Sequence, residues 1–313
     1  MYSKYLIKLA AELFDDAQSR ERFAECVMNP CGGVKSLIWI KDRPAQIPFK
    51  LLPKTSFEPE FVDAVAADET PGSQDLHEEG YYYCLDRSSV FSASAISEIK
   101  LSAPRILDMC ASPGGKSIFA FRALKPSLMI SNEVIGKRLG ALISNLKRLG
   151  IAPVSVTSSD SKVWANQCAQ AFDVVLADVP CSGQSLIRKA SEAPGCFHPA
   201  TVNMNSNRQK RILANSLQTV APGGYLSYMT CTFSPAENER VIEWALKKFP
   251  NFMPTKVAHL IEFQSTLTER PCYRLWPQQG LGAGGFVCLL KNTQELLPAE
   301  EPSPELPRAA WRA

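Results

Sequence analysis

The chain has 313 residues, of which 45% are hydrophobic and 21% are charged, and its formal net charge is +3. This composition is typical of a globular protein and excludes wholesale disorder and fibrous repeats, while the length predicts one large domain and a smaller one. Apolar runs such as 173–179 and 285–290 are far shorter than the roughly 18 to 20 residues of a membrane-spanning helix. The N-terminus lacks the continuous apolar core of a secretory signal. We therefore expect a cytoplasmic protein that does not contact membranes.

Residues 1–75 are predicted to form a small α/β domain. Leu6, Leu9 and Leu13 share one face of a helix, and 37–40 is a short apolar strand. The run 57–66 has a proline near its start and is predicted as a second helix. A stretch at 68–79 that is rich in acids and turn residues is predicted as the boundary loop.

From residue 104 the sequence alternates short β-type runs with helical stretches. The predicted strands are 106–109, 128–133, 154–157, 173–177, 225–230 and a last one at 285–291, and the predicted helices are 115–124, 137–149, 207–220 and 236–249. This alternation predicts an α/β fold with a doubly wound, mostly parallel sheet in a domain that covers 76–292. The remaining 293–313 is rich in proline and glutamate and is predicted to be a disordered tail.

Ten cysteines and three histidines are spread along the chain. No two cysteines form a Cys-x-x-Cys pair, so we expect no metal site. In a reducing cytosol, scattered cysteines are usually small buried hydrophobic residues rather than disulfide partners. A reactive cysteine must therefore be identified by where it lies in the fold.

The first strand of the alternating region leads into Leu-Asp-Met-Cys-Ala-Ser-Pro-Gly-Gly-Lys at 107–116. Glycines at a strand-to-helix turn let a ligand approach the backbone, and the free N–H groups of the helix attract an anion. The spacing matches neither the dinucleotide motif nor the ATP-binding motif. Glu133 closes the second strand, near the spacing at which an acid meets ribose hydroxyls, and Asp160 follows the third. Together they favour an adenosine-containing ligand, and the alternative is that each acid caps a helix or lies in a loop.

Two further strand ends each carry a cysteine. Asp178 ends the fourth strand and is followed by Cys181, and Cys231 follows the fifth strand. Neighbouring strands lie roughly 4.8 Å apart, and open α/β sheets bind ligands at the edge where the carboxyl ends of the strands meet. We therefore expect both thiols and Asp178 to converge beside the nucleotide site.

These motifs resemble those of the Nop/Sun family of RNA (cytosine-5) methyltransferases, which includes the bacterial Fmu type. The matching segments are Cys-Ala-Ser-Pro-Gly-Gly-Lys at 110–116, Asp-Val-Pro-Cys-Ser-Gly at 178–183, Asn-Arg-Gln-Lys-Arg-Ile-Leu at 207–213, Pro-Gly-Gly at 222–224 and Thr-Cys-Thr-Phe-Ser-Pro-Ala-Glu-Asn-Glu at 230–239. The resemblance covers 80–290 and is specific, because several independent motifs occur in the family order. It implies the seven-stranded sheet of S-adenosylmethionine-dependent methyltransferases, with 76–292 as the catalytic domain.

The resemblance also implies how the site residues act. Carbon 5 of cytosine is a poor nucleophile until a thiolate adds to carbon 6. Cys231 would be that thiolate, Cys181 would assist proton removal and release, Asp178 would bind the cytosine amine, and Lys116 would reach the donor or the substrate. A solvated surface lysine is the alternative for Lys116. The residues implied to hold S-adenosylmethionine are Cys110, Ala111, Ser112, Pro113, Gly114, Gly115, Lys116, Glu133, Arg138, Asp160 and Asp178.

The small net charge means that contacts with RNA must come from local basic clusters. The predicted contacts are Arg188, Lys189, Arg208, Lys210 and Arg211, with a solvated helix face as the alternative. The N-terminal domain is a further candidate for RNA contact. We expect a monomer that acts on ribosomal or transfer RNA.

Several positions depart from the family pattern. Gln184 replaces the glycine that usually follows Pro-Cys-Ser-Gly, Gln278 stands where a histidine commonly follows the proline, and Gly284 stands where an aspartate often precedes Gly-Phe. These changes leave open an alternative function, in which the fold serves as an RNA-binding or ribosome-assembly factor without turnover. A thiol redox enzyme is a further alternative, which the absence of a Cys-x-x-Cys helix start disfavours.

Overall fold

A small antiparallel sheet and two helices begin the computed structural model, which describes residues 3–30, 33–295 and 306–313. The helices are α1 (Lys4–Leu13) and α2 (Ala17–Met28), and the side chains of Ser3 and Asp16 cap their N-termini. The sheet has the order β2-β1-β3, formed by β1 (Lys35–Trp39), β2 (Val62–Ala64) and β3 (Tyr82–Asp86), and the short helix α3 (Asp75–Glu78) precedes β3. This part of the chain holds the helix and the strand that were predicted near its start.

The predicted helix at 57–66 is wrong, because β2 lies within that run and pairs with β1. The Asp63 carboxylate of β2 is buried and accepts a 2.8 Å hydrogen bond from the Trp39 indole of β1. Pairing with β1 satisfies the backbone of this segment and overrides its local helical pattern. The small sheet takes β3 from beyond residue 75, and the division of the chain into domains stays a prediction.

The main sheet has nine strands among the described residues. The parallel strands match the predicted ones and are β4 (Arg105–Asp108), β5 (Leu128–Asn132), β6 (Val154–Thr157), β7 (Phe172–Asp178) and β8 (Val220–Thr230). The antiparallel strands are β9 (Phe252–Pro254), β10 (Tyr273–Leu275), β11 (Gly285–Asn292) and β12 (Ala309–Arg312). The order β10-β11-β8-β7-β4-β5-β6-β12, with β9 on β11, confirms the predicted doubly wound α/β fold. The predicted seven strands run from β10 to β6, and β9 and β12 add to them.

Helices cover both faces of the main sheet. On one face lie α4 (Arg87–Ser94), α5 (Gly115–Leu124) and α6 (Leu139–Arg148), and on the other lie α7 (Ser161–Gln167), α8 (Pro199–Gln218) and α9 (Glu239–Lys248). Side chains of β7 alternate between the two cores, with Val174 in the first and Val175 in the second. Within the described ranges, no helix has both the length and the apolar character needed to cross a membrane.

The helix α8 begins at Pro199 rather than at the predicted position 207. His198 precedes it and accepts a 3.2 Å hydrogen bond from the Ala200 N–H, and proline suits the first helical position because its missing N–H needs no partner. The first turns carry polar residues without an apolar stripe, so periodicity alone does not find this start.

The predicted disordered tail is wrong for Ala309–Arg312, which forms β12 against β6. Ala313 and Val154 exchange backbone hydrogen bonds of 3.0 and 3.2 Å, and Lys147 Nζ lies 5.6 Å from the centre of the Trp311 ring. The part of the predicted tail at 296–305 lies outside the described residues. Composition averaged over the whole segment hid the short run that forms a strand.

Candidate functional site

Two thiols meet at the carboxyl edge of the main sheet. β7 and β8 are parallel neighbours, with Asp178 in register with Met229, so the loops after them run side by side. The Sγ atoms of Cys181 and Cys231 are 3.2 Å apart, which is within hydrogen-bond reach for sulfur. Both cysteines are partly exposed. The structure therefore brings together the two thiols that strand-end placement singled out.

The surroundings make the two thiols unequal. The pKa of Cys231 is lowered, first because of its hydrogen bond with Cys181 and also because the Lys116 and Lys189 ammonium groups lie nearby, although desolvation and the Asp178 charge oppose this. The pKa of Cys181 lies well above its usual range, because of its hydrogen bond with Cys231, its desolvation, and the negative charges of Cys231 and Glu237. Of the two, Cys231 is therefore the thiol that loses its proton more readily, and Cys181 is the one that retains it.

A lysine and a carboxylate flank the thiol pair. Lys116 Nζ, from the first turn of α5, lies 2.5 Å from Asp178 Oδ2 at the end of β7. Burial alone would lower the pKa of Lys116, but the negative charges of Asp178 and Cys231 hold it above its usual value. Lys116 therefore stays cationic beside the thiolate. The alternative of a solvated surface lysine is wrong, since only 13% of its side chain is exposed.

Glu237, which the sequence reasoning did not single out, ties the two cysteine loops together. Its buried carboxylate accepts hydrogen bonds from Ser182 N at 2.8 Å, Ser182 Oγ at 2.5 Å and Gln209 Nε2 at 2.9 Å, while Thr232 Oγ1 lies 3.4 Å away. Ser182 follows Cys181 and Thr232 follows Cys231, so one carboxylate holds both loops. Its only sequence signal was its place in the motif at 230–239, because the contacts join distant segments.

A buried ion pair supports the loop after β8 from behind. Arg274 on β10 lies 2.5 Å from Glu239 on α9, and its guanidinium also donates to the Phe233 carbonyl at 2.9 Å. Ser265 Oγ donates to the same Glu239 carboxylate at 2.7 Å. These bonds satisfy a charge pair that would otherwise be costly to bury. They fix the chain two residues beyond Cys231.

The segment 110–116 forms the turn between β4 and α5. Gly114 has φ +111°, in the left-handed region that favours glycine, and caps α5. The buried carboxylate of Asp108, a second residue not singled out from the sequence, accepts hydrogen bonds from Cys110 N at 3.3 Å and Ser117 Oγ at 2.7 Å. Burial raises the pKa of Asp108 to about 7. The Ala111 N–H donates to the Asn132 carbonyl at 2.8 Å, so the turn is held against β5.

Glu133 and Arg138 face this turn from the end of β5. Ser112 and Arg138 are joined by two hydrogen bonds, and Arg138 NH1 lies 3.2 Å from Glu133 Oε2. Oε1 of Glu133 accepts from the Ile135 N–H at 2.8 Å, but its buried Oε2 has no hydrogen-bond partner in the described part of the chain. Next to it, 56% of Val134 is exposed. A buried carboxylate oxygen that is held only by an ion pair with Arg138 and accepts no hydrogen bond, beside an exposed apolar side chain, fits a ligand with a hydroxyl group and an aromatic ring.

Asp160 caps the N-terminus of α7, which is the alternative to ligand binding that was stated for it. Its carboxylate accepts from the Lys162 N–H at 2.9 Å and pairs with Arg211 at 3.0 Å. Both its oxygens are occupied and 45% of its side chain is exposed. Arg211, predicted to contact RNA, is thus engaged with Asp160.

The predicted RNA contacts fall into two groups. Arg188 is buried and donates to the Cys26 carbonyl at the end of α2, so it is not on the open surface where a phosphate contact was expected. Lys189 pairs with Asp86 at 3.2 Å. By contrast, Arg208 and Arg211 are exposed on α8, and Lys210 on the same helix is half-buried. A basic surface is therefore present on α8 and absent at Arg188.

The departures from the family pattern are accommodated structurally. The Gln184 amide is buried and bridges the site, because its oxygen accepts from Phe233 N at 2.9 Å and its nitrogen donates to the Cys196 carbonyl at 3.1 Å. Gly284 has φ +111°, and a Cβ there would lie 2.4 Å from a ring carbon of Phe233. Neither change disturbs the thiols. Among the described residues, no group of three or more His, Cys, Asp or Glu side chains is placed to hold a metal ion.

Solved structures share this fold. NSun6 from Pyrococcus horikoshii with SFG superposes with a TM-score of 0.74 at 17% identity, covering 94% of this chain and 99% of that one. A methyltransferase homologue from the same organism gives a TM-score of 0.70 at 21% identity, covering 93% of this chain and 99% of that one.

Sequence relatives lead to the same family. Ribosomal RNA small subunit methyltransferase F of Escherichia coli (strain UMN026) is 31% identical over 235 residues, which is 73% of this chain and 49% of that protein. The corresponding protein of Cronobacter sakazakii is 28% identical over 235 residues, 74% of this chain and 49% of that protein. The chain thus spans about half the length of these relatives. A family model for 16S rRNA methyltransferase RsmB/F matches residues 100–291. Because this match covers more than half of the chain and the motifs agree with it, the predicted resemblance is confirmed, and the chain belongs to the RsmB/F methyltransferase family.

Proposed function

We propose that this chain is an S-adenosylmethionine-dependent RNA cytosine-5 methyltransferase in which Cys231 is the nucleophile and Cys181 assists release. The observation that carries the proposal is the thiol pair, 3.2 Å apart, in which the surroundings lower the pKa of Cys231 and raise that of Cys181. A cytosine-5 methyltransferase needs one nucleophilic sulfur and one group that takes up a proton, and this pair supplies both.

The donor would bind at the ends of β4, β5 and β7. The backbone of 110–116 would line one side, and Asp178 would lie near the methionine end. Oε2 of Glu133, which is ion-paired with Arg138 but accepts no hydrogen bond, would accept one from a ribose hydroxyl. Bound there, S-adenosylmethionine would supply an electrophilic methyl group. Arg138 holds Ser112 and Glu133 in place for this contact. Asp160 is too exposed and too fully hydrogen-bonded to be assigned more than a peripheral role.

The thiolate begins the reaction. Cys231 Sγ would form a bond to carbon 6 of the cytosine, and the ring electrons would move to carbon 5. Carbon 5 would then take the methyl group as the methyl–sulfur bond of the donor breaks and the donor leaves as a neutral thioether. The Asp178 carboxylate, held by Lys116 at 2.5 Å, would accept a hydrogen bond from the cytosine amine. The Lys116 ammonium group would also stabilise the negative charge of the Cys231 thiolate.

Cys181 acts in the second half of the reaction. Once the Cys231 sulfur is bonded to carbon, it no longer accepts the Cys181 S–H or carries a negative charge, so two of the causes that raise the Cys181 pKa are removed. Cys181 can then lose its proton to solvent and take the proton from carbon 5. The carbon 6 to sulfur bond breaks, and Cys231 leaves as a thiolate. The same two residues would therefore change roles within one turnover.

Small-subunit ribosomal RNA is the substrate class that we propose, because the relatives that the chain matches are named for it. The exposed basic residues of α8, Arg208 and Arg211, would contact its phosphates. The alternative, a factor without turnover, gains no support from the site. The thiols, Lys116 and Asp178 are all in place, and the departures at Gln184 and Gly284 are absorbed by packing.

The test combines methyl transfer with adduct trapping. The parent protein should transfer labelled methyl groups from S-adenosylmethionine to unmodified small-subunit ribosomal RNA transcripts, and Cys231→Ala should not. Cys181→Ala should accumulate a covalent RNA adduct that survives a denaturing gel. Cys84→Ala, in β3 outside the site, is the matched cysteine control and should behave as the parent. RNA binding without transfer by the parent would favour the assembly-factor alternative.

A further inference from the structure

A cavity of about 520 Å³ lies between α2, the segment after Cys181 and the turn after β10. Its walls include Glu25 and Asn29 from α2, Val34, Arg188, Gln278 and Gly282. We call it the α2 cavity. Its volume falls within the range of roughly 300–1,000 Å³ that is typical of ligand pockets. It contains neither catalytic thiol, so it is separate from the target site described above.

The α2 cavity and the catalytic centre are linked through two consecutive residues, Arg188 in the cavity wall and Lys189. Lys189 is adjacent to Arg188 in the chain, and its charge contributes to the lowered pKa of Cys231. Lys189 pairs with Asp86, and a Cβ on Gly33 would lie 2.8 Å from the same Asp86 carboxylate, next to Val34 in the wall. Consecutive Cα atoms are about 3.8 Å apart, so the wall at Arg188 lies next to a residue whose charge acts on Cys231, which places the α2 cavity near the target site.

The lining chemistry favours a nucleobase rather than a phosphate. The buried Oε1 of Gln278 has no hydrogen-bond partner within the described ranges, and the Glu25 carboxylate is a second acceptor. Acceptors repel a phosphate but bind the N–H groups on the edge of an unstacked base, and the Asn29 amide can donate to a base carbonyl. Arg188 also lines the cavity, where its guanidinium donates to the Cys26 carbonyl.

We propose that the α2 cavity binds the base of a nucleotide that flanks the target cytosine, with Gln278 as its main specificity-determining residue. This inference rests on the proposed function. It explains why the buried side-chain oxygen of Gln278 has no donor among the described residues, although the turn around it is held in place. The backbone carbonyl of Gln278 accepts a 3.4 Å hydrogen bond from Arg22, and Pro277 is buried. It also gives the N-terminal helices a direct part in RNA recognition.

The experiment uses the full chain and a pool of short RNAs with one central cytosine and randomised flanks of A, G and U. RNAs trapped as covalent adducts by Cys181→Ala are sequenced, with and without Gln278→Ala. If the α2 cavity binds a base, one base should be enriched about tenfold at one flanking position of the trapped RNAs. Gln278→Ala should abolish the enrichment at that position and leave adduct formation itself intact. Gln167→Ala, at an exposed glutamine in the last turn of α7, is the matched control and should leave it intact.

A second readout does not require turnover. RNAs from the pool that carry 4-thiouridine beside the cytosine are photocrosslinked to the parent protein, and the crosslinked peptides are mapped. Crosslinks at Glu25, Asn29 or 277–282 support the proposal even if no adduct forms, in which case only the methyltransferase function fails. Two outcomes would overturn the α2 cavity as a base site. One is that the flanking enrichment of the adducts survives Gln278→Ala, and the other is that adducts form while every crosslink lies outside the cavity. Absence of both adducts and crosslinks overturns both proposals.

Discussion

Removing the Glu237 carboxylate should destabilise the protein strongly, because it holds both cysteine loops. In Glu237→Ala, the N–H and hydroxyl of Ser182 and the side-chain amide of Gln209 lose their acceptor, while Gln209 stays fully buried. A buried donor left without a partner costs about 1–3 kcal/mol, and breaking a buried charged network costs about 3–5 kcal/mol in total. With about 2–4 °C of melting temperature per kcal/mol, we expect a decrease of roughly 10 °C.

Glu237→Gln is the matched variant that removes the charge but keeps the shape. The oxygen of a glutamine can take the place of Oε2, which accepts from Ser182 N and Gln209 Nε2. Its NH₂ group then faces the hydroxyls of Ser182 and Thr232, which are able to accept. We therefore expect a stability loss below about 1 kcal/mol. Because the Glu237 charge contributes to the raised pKa of Cys181, its loss should lower that pKa and move product release toward lower pH.

Thermal unfolding followed by circular dichroism, together with the pH dependence of adduct decay, measures both effects. A Glu237→Ala protein that melts within about 2 °C of the parent would contradict the role of Glu237 as the tie between the loops. A Glu237→Gln protein as unstable as the alanine variant would show that the charge, rather than the hydrogen-bond geometry, carries the stability.

Three further predictions concern the site and the edge of the sheet. Lys116→Met should raise the pKa of Cys231 and move the acid limb of adduct formation to higher pH, and an unchanged limb would count against activation by Lys116. Arg274→Met leaves a buried carboxylate unpaired and should cost about 3–5 kcal/mol in urea unfolding, whereas Arg240→Met breaks an exposed pair and should cost less than about 1 kcal/mol. Deleting 309–313 should increase hydrogen exchange at the amides of β6, and equal protection in both proteins would show that β12 does not cover this edge.

The sequence predicted the sheet and the meeting of the thiols because both follow from rules with few alternatives. Apolar strands alternating with helices pack as a parallel sheet, and the carboxyl ends of neighbouring strands then share one edge. Cys181 and Cys231 follow two such strands, so their distance is set mainly by strand spacing and by short loops. The prediction failed at 57–66, where an apolar run is compatible with a helix and pairing with β1 decides the outcome.

The supporting shell of the site was not predictable in the same way. Glu237 binds Ser182 and Gln209, which lie on a loop and a helix far away in the chain. Which buried acceptor meets which donor depends on side-chain packing, for which no local periodicity exists. The burial of Arg188 could not be predicted for the same reason. A basic residue in a loop looks the same in the sequence whether it faces solvent or, as here, donates to a backbone carbonyl.

Glu133 and Asp160 show which property separates a ligand-binding acid from a structural one. Both follow strands of one sheet edge, so their sequence signals are equivalent. Asp160 is half-exposed and both its oxygens already accept hydrogen bonds, from a helix N-terminus and from an arginine, which leaves little acceptor capacity for a ligand. Glu133 is buried, yet one oxygen has no hydrogen bond within the part of the chain that the structure describes. The Arg138 ion pair offsets the charge of this oxygen but leaves it without a hydrogen bond, which a ligand hydroxyl could donate. This remaining acceptor capacity in a buried carboxylate points to Glu133 as the ligand-binding acid.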